Sequence, residues 1–214
     1  MSADDAFLDR LSAGLRPVPT HAVARRLGFA LIAGGAVAFA GVTIGMGLRS
    51  DMRHALGTMM FWTKLGYTGA LMAVGAWAMD RLARPVGAAR QRLAWGLLPL
   101  LFIAAIAVWQ IMAAPPFLRR LLVMGETAAF CPWLILLTAV PLFGALVWAL
   151  RGLAPTRLAR AGAVAGLTAG AAGAALYALH CPETGAPFVA IWYTLGIAGT
   201  GLVGRLTGPW LLRW

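Results

Sequence analysis

The sequence predicts an all-α membrane protein that folds as a bundle of six transmembrane helices. Of its 214 residues, 61% are hydrophobic and only 12% are charged, whereas soluble domains are close to half apolar. The mean hydropathy is +0.79, and the apolar residues fall into runs of about 20, long enough to cross a hydrocarbon core. Because a spanning segment must satisfy its own backbone hydrogen bonds, we expect these runs to be helices.

This pattern divides the chain into a polar tail of residues 1–26 and a transmembrane domain of residues 27–214. The 26 glycines suit such a domain, because small residues let helix backbones approach closely in lipid. Gly162, Gly166 and Gly170 recur every four residues and predict one such close-packing face. The six predicted spans cover residues 27–48, 58–79, 93–113, 127–150, 161–179 and 187–206.

Basic residues are divided unequally between the two sides of this bundle. Thirteen of the 18 lysines and arginines lie on the side that carries both termini, and five lie on the other. Since loops rich in Lys and Arg stay in the cytoplasm, both termini are predicted to be cytoplasmic. Topology thus explains the net charge of +11. No stretch interleaves basic and aromatic residues as a nucleic-acid groove would, so we expect contact with the lipid bilayer and no direct contact with nucleic acid.

The tail contains a short amphipathic pattern. Four apolar residues recur at the spacing of one helix face, and they are accompanied by three acids and one arginine. A helix of about three turns is too short to be stable alone in water. It would either lie on the membrane surface or fold into the groove of a protein partner. The apolar positions are Phe7, Leu8, Leu11 and Leu15, and the charged positions are Asp4, Asp5, Asp9 and Arg10.

The polar side chains that stand out are those of His180, Cys181 and Glu183, which fall within four consecutive residues. The other cysteine, Cys131, is likewise followed by proline. The predicted topology places both cysteines at the extracytoplasmic surface, in a compartment that tolerates disulfides.

Three uses of this thiol pair are open. The cysteines could be inert buried residues, they could close to a reversible disulfide if their Cα atoms come within about 7 Å, or they could bind a soft or borderline metal ion such as zinc, cadmium or copper(I). A metal site would use Cys131, Cys181 and His180, with Glu183 or Glu126 as a fourth ligand.

Catalytic motifs are missing from the sequence, so we do not expect an enzyme. It contains no nucleophile elbow, no phosphate-binding loop and no paired intramembrane carboxylates. Lys64, near the outer end of the second span, could mark an ion pathway, but we expect it to extend its ammonium to the membrane surface. Pro99 and Pro141 fall inside predicted spans and are expected to kink them.

Several stretches of the chain resemble the NrsF family. They are Phe7-Leu8-Asp9-Arg10-Leu11-Ser12-Ala13-Gly14-Leu15-Arg16-Pro17-Val18, Ala154-Pro155-Thr156-Arg157, Leu179-His180-Cys181-Pro182-Glu183, Pro187-Phe188, Trp192-Tyr193 and Leu212-Arg213-Trp214. The resemblance implies a six-span, multi-pass protein of the bacterial inner membrane that acts as an anti-sigma factor for an F-type extracytoplasmic-function (ECF) sigma factor.

The resemblance also implies how such a protein would work. The cytoplasmic tail would sequester the sigma factor, and heavy-metal or oxidative stress sensed at Cys131 and Cys181, which match the family's cysteine pair, would release it. The alternative function is a small transporter or channel for a metal ion or a thiol-reactive solute. That alternative predicts ligand groups deeper in the bundle than the sequence offers. The oligomeric state is left open.

Overall fold

A computed structural model of the protein describes residues 21–83, 89–153 and 155–213, together with Phe7, Ala13 and Pro19. Within the described residues the regular structure is helical and there is no β-strand, which confirms the all-α class. Most of the predicted tail helix lies outside the described residues.

The first helix, α1, spans Ala22–Ala40 and continues through a π-helical turn at Gly41–Met46. A second π-helical turn, at Val189–Tyr193, joins two later helices, Ala186–Phe188 and Thr194–Leu211, in one continuous rod. The helices after α1 are α2 (Met52–Leu56), α3 (Met59–Leu82), α4 (Arg90–Ala94), α5 (Leu97–Ala113), α6 (Pro116–Met124), α7 (Cys131–Arg151), α8 (Leu158–Tyr177), α9 (Ala186–Phe188) and α10 (Thr194–Leu211).

A long helix occurs at each of the six predicted spans, and four of them are long and apolar enough to cross a membrane. These four cover Ala22–Met46, Gln91–Ala113, Cys131–Arg151 and Ala186–Leu211. The other two are α3 and α8. Their passage through the membrane, like the side on which the termini lie, stays a prediction.

Helix α8 is the centre of the bundle and packs against α3, α7 and α10. A Cβ placed on Gly166 would overlap the carbonyl oxygen of Thr200 and lie 3.0 Å from the Cα of Gly201. At Gly162 it would overlap the carbonyl oxygen of Gly204. The backbones of α8 and α10 are therefore in direct contact, which confirms the predicted close-packing face and explains why these positions carry no side chain.

A second close approach joins α1 to α7. A Cβ on Gly34 would lie 2.9 Å from the Cα of Leu142, next to Pro141, which lies inside α7 as predicted. Pro99 lies inside the long segment Gln91–Ala113, shortly after the turn at residues 95–96 that interrupts it, as a residue that kinks the span would. The chain turns at Gly96 before α5 begins, so Pro99 occupies the first turn of that helix, where a missing N–H costs no hydrogen bond.

Replacement of Gly166 by alanine is expected to destabilise the protein by roughly 1–3 kcal/mol, because the new methyl group must push two backbones apart. The matched control is Gly69→Ala in α3, where a Cβ would meet nothing within 4 Å. That control should be neutral or stabilising by up to about 1 kcal/mol, since alanine favours helix. Unfolding of both variants in detergent measures the difference, and equal stabilities would contradict the proposed backbone contact.

Candidate functional site at two buried thiols

The structure brings the two cysteines into one buried cluster. Cys131 is the first residue of α7, and Cys181 lies in the segment between α8 and α9. Both side chains are fully buried and carry free thiols. They share this cluster with Tyr177, Phe188 and Tyr193. The prediction that both cysteines lie at one end of the bundle therefore agrees with their packing.

The segment that carries Cys181 is positioned by the end of α8. The backbone N–H groups of His180 and Cys181 both donate to the carbonyl oxygen of Tyr177, at 2.9 and 3.0 Å. Pro182 follows and has no N–H with which to continue the helix. The chain therefore leaves the helix at Cys181 while its thiol stays in the core.

Arg49 clamps this segment from the loop after α1. Its guanidinium donates to the carbonyl oxygens of Cys181 at 3.3 Å and Pro182 at 3.4 Å, and its own backbone N–H donates to Leu179 at 3.1 Å. Two further bonds, of 2.6 and 2.7 Å, bind it to the Asp51 carboxylate. These hydrogen bonds lower the pKa of Asp51 and raise the pKa of Arg49, so the pair stays ionised at neutral pH.

Glu183 ties the two cysteine segments together. One carboxylate oxygen, Oε1, accepts hydrogen bonds from the backbone N–H of Glu126 at 2.8 Å, the N–H of Thr127 at 3.1 Å and the Thr127 hydroxyl at 3.0 Å. The carbonyl oxygen of Thr127 in turn accepts from the N–H of Cys131 at 2.9 Å. Gly125 makes this possible, because its φ of 51° is favourable for glycine and a side chain there would overlap the Glu183 carboxylate.

Lys64 is the unexpected member of the site. Only 1% of its surface is exposed, so the prediction that it reaches the membrane surface is wrong. Its Nζ donates to the carbonyl oxygen of Cys181 at 3.4 Å, lies 3.9 Å from the Cys181 Sγ and lies 5.8 Å from the ring centre of Tyr193. A carbonyl dipole and an aromatic face lower the cost of burying the ammonium, which explains why the side chain turns inward.

The predicted metal ligands do not converge. Across the part of the chain that the structure describes, no three His, Cys, Asp or Glu side chains come together to hold a metal ion. His180 donates from Nδ1 to the carbonyl oxygen of Gly47 at 2.9 Å. The Glu183 carboxylate accepts hydrogen bonds from residues 126 and 127, and the Glu126 side chain is exposed. The described donors therefore do not fit a tetrahedral four-ligand zinc site, and of the predicted ligands the two cysteines share one buried cluster.

The sequence did not predict the contacts of Arg49 with the Cys181 segment or the inward direction of the Lys64 side chain. An intramembrane lysine is a default functional signal, so Lys64 could have been weighted more heavily. Arg49 gave no comparable signal, because its contacts reach a segment 132 positions away in the chain.

Of the predicted partner-binding residues, only Phe7 is described. It is 62% exposed. Leu8, Leu11, Leu15, Asp4, Asp5, Asp9 and Arg10 lie outside the described residues.

Comparison with known proteins gives matches along the whole chain. A family model described as NrsF, Negative regulator of sigma F, matches residues 11–214. A protein named Probable anti-sigma-F factor NrsF, from Azospira oryzae, is 40% identical over 215 residues and covers 100% of both chains. The Anti-sigma-F factor NrsF of Caulobacter vibrioides is 38% identical over 219 residues, again across 100% of both chains. No solved structure matches.

Replacement of Glu183 by alanine is expected to destabilise the protein by about 2–3 kcal/mol, because three hydrogen bonds to one carboxylate oxygen are lost. Glu126→Ala is the matched control, since it removes an exposed carboxylate from the turn that Glu183 binds and leaves the Glu126 backbone N–H in place. Thermal unfolding and the labelling rate of Cys131 would be compared. Similar values for the two variants would contradict the role assigned to Glu183.

Replacement of Lys64 by methionine is expected to leave the free energy of unfolding unchanged or to raise it by up to about 3 kcal/mol. The reason is that a buried charge is exchanged for an apolar side chain of similar length. The same change should slow the reaction of Cys181 with a small thiol reagent by about tenfold, because a nearby cation stabilises negative charge on sulfur.

The labelling would use the Cys131→Ser background, so that Cys181 alone reacts. Lys64→Arg is the control, because it keeps a positive charge at this position. A Lys64→Met variant that reacts as fast as Lys64→Arg would exclude an electrostatic effect of Lys64 on the thiol.

Proposed function

Since this chain belongs to the NrsF family of negative regulators of sigma F, we propose that it is a membrane anti-sigma factor that sequesters an ECF sigma factor through the tail of residues 1–26. The observation that carries the proposal is its similarity to anti-sigma-F factors across 100% of both chains. Four apolar helices long enough to cross a membrane support a location in the bacterial inner membrane, where a bound sigma factor is kept from RNA polymerase.

The tail is proposed to bind as an amphipathic helix. Its apolar face of Phe7, Leu8, Leu11 and Leu15 would fill a groove of the sigma factor, and that burial would supply the free energy that a short helix lacks alone. Asp4, Asp5, Asp9 and Arg10 would set the orientation through charge complementarity. The exposed Phe7 supports this arrangement.

The thiol pair is proposed to be the sensor, on the extracytoplasmic side. An oxidant would take two electrons from Cys131 and Cys181, two protons would leave, and an S–S bond would form. A heavy-metal ion would instead bind the two sulfurs as the external signal, with loss of the thiol protons. Because both thiols are buried, either event requires the surrounding segments to open, and these are the segments that Arg49 and Glu183 hold.

Helix α7 offers a direct connection from the thiols to the tail. Cys131 is its first residue and Arg151 its last, and the 21 residues between these ends inclusive span about 30 Å. Trp148 lies in the last turn of α7. The Arg26 guanidinium lies 4.8 Å from the ring centre of Trp148 and donates to the Trp148 carbonyl oxygen at 3.4 Å. Arg26 is the last residue of the tail and lies near the start of α1. A shift of α7 at the thiol end would thus change the contact between Arg26 and Trp148 at the base of the tail. The stimulus can act only if it favours one of two such positions of α7 over the other.

Capture of the cognate sigma factor by the detergent-solubilised protein tests both parts of the proposal. The intact chain should retain the sigma factor, and Phe7/Leu8/Leu11→Ala should lose it, because the apolar face is removed. The Cys131/Cys181→Ser variant should retain it. Cadmium or a thiol oxidant should then release the sigma factor from the intact chain, whereas the serine variant should keep the sigma factor bound.

The arms of this experiment separate binding from sensing. Capture by the tail variant would move the binding site to the cytoplasmic loops, and release from the serine variant would exclude the thiols as sensor. Failure of the intact chain to capture any sigma factor would overturn the proposed function as a whole.

A further inference from the structure

We propose that the bundle holds one anionic phospholipid, with an acyl chain in a groove between α3, α5, α8 and α10 and its phosphate at Arg157 and Arg160. This inference is independent of the proposed regulatory function and of the direction in which the bundle crosses the membrane. It rests on the shape of the groove, the polarity of its walls and the charge at its mouth.

The groove is made of two adjoining cavities. The deeper one has a volume of ≈ 290 Å³ and the mouth a volume of ≈ 520 Å³. Leu93 and Leu167 line both, so the two cavities are neighbours, and one extended acyl chain is proposed to lie across both. The groove exists because α5 packs mainly on α9 and the following π-helical turn, at the thiol end. Towards the other end of the bundle, the face of α8 that carries Ala163 and Leu167 is therefore only partly buried.

The surface of the deeper part is almost entirely apolar. Its walls include Leu71, Val74, Leu97 and Ile197. The one hydroxyl on this wall, that of Thr194, is already hydrogen-bonded to the hydroxyl of Tyr67 at 2.7 Å. A polar ligand would find no partner there, whereas a hydrocarbon chain would restore the contacts that an unfilled groove lacks.

The mouth carries two positive charges. Arg157 and Arg160 line it together with apolar residues such as Leu82 and Val164. Both arginines are exposed, and neither forms an ion pair with a carboxylate of the described residues, whose ion pairs are Arg49–Asp51 and Arg92–Asp80. Basic groups at the membrane end of an interhelical groove attract anionic headgroups, and the guanidinium geometry suits a phosphate.

Native mass spectrometry of the full chain in mild detergent tests the proposal. The probes are dioleoylphosphatidylglycerol, which is anionic, and dioleoylphosphatidylcholine, which has the same chains and no net charge. The intact protein should bind one phosphatidylglycerol in preference to phosphatidylcholine. Arg157/Arg160→Gln should weaken the binding of phosphatidylglycerol on the order of tenfold and remove the preference.

The matched control is Arg205/Arg213→Gln, which removes two charges from the same end of the bundle outside the groove. That end is shared because Gly208, in the last turns of α10, packs against Leu158 and Gly162 at the start of α8. The control should keep the preference. Ala198→Phe, which fills the deeper part from its wall, should lose the bound lipid of either class.

Three results would overturn the inference. The two lipids could bind the intact chain equally, the two arginine pairs could prove equivalent, or glycerol 3-phosphate alone could displace the lipid at equal concentration. The second result would indicate general attraction by surface charge, and the third would show that the acyl groove contributes nothing. Unfolding temperatures of all variants confirm that each one is folded.

Discussion

At Gly162, Gly166 and Gly170 the backbone of α8 rests on the backbone of α10, and α3 and α7 pack against the same helix α8. Small residues meet on the other faces of α8 as well. Gly173 lies against Ala139 of α7, and Gly75 of α3 lies against Thr168. A helix that is approached this closely on three sides has little freedom to slide or rotate. Because the thiol segment leaves α8 directly after its last turn, the position of Cys181 in the core is set by the same contacts.

Locally encoded features could be predicted from the sequence. Apolar runs and a four-residue glycine repeat are properties of neighbouring positions, so the helical class, the places of the long helices and the packing face of α8 could be derived from them. The alternation of loop charge added a coarse topology, which was enough to bring Cys131 and Cys181 to one end of the bundle. It could not show that both thiols are buried in one cluster.

The roles of individual polar side chains could not be predicted, because they depend on contacts between distant parts of the chain. His180 and Glu183 have the composition of metal ligands, yet one is bonded to Gly47 and the other to residues 126 and 127, and no local pattern encodes either contact. Lys64 shows the same limit. Hydropathy predicts that a lysine side chain contacts water, whereas in this fold the ammonium contacts a carbonyl oxygen and the face of a tyrosine ring inside the core. Helix α8 is not among the four described helices that are long and apolar enough to cross a membrane, because glycine and alanine add little hydropathy, and most of its residues are buried against other helices.

The small side chains of α8 also have a consequence for how the protein is made. A nascent segment enters the bilayer from the translocon when its own apolar side chains favour lipid over water, and a helix of mostly glycine and alanine gains little from that transfer. Its stabilisation comes instead from α7, which is synthesised before it, and from α10, which is synthesised after it. We therefore expect α8 to stay beside the insertion machinery until α10 has emerged, so that the centre of the bundle is the last part to be completed.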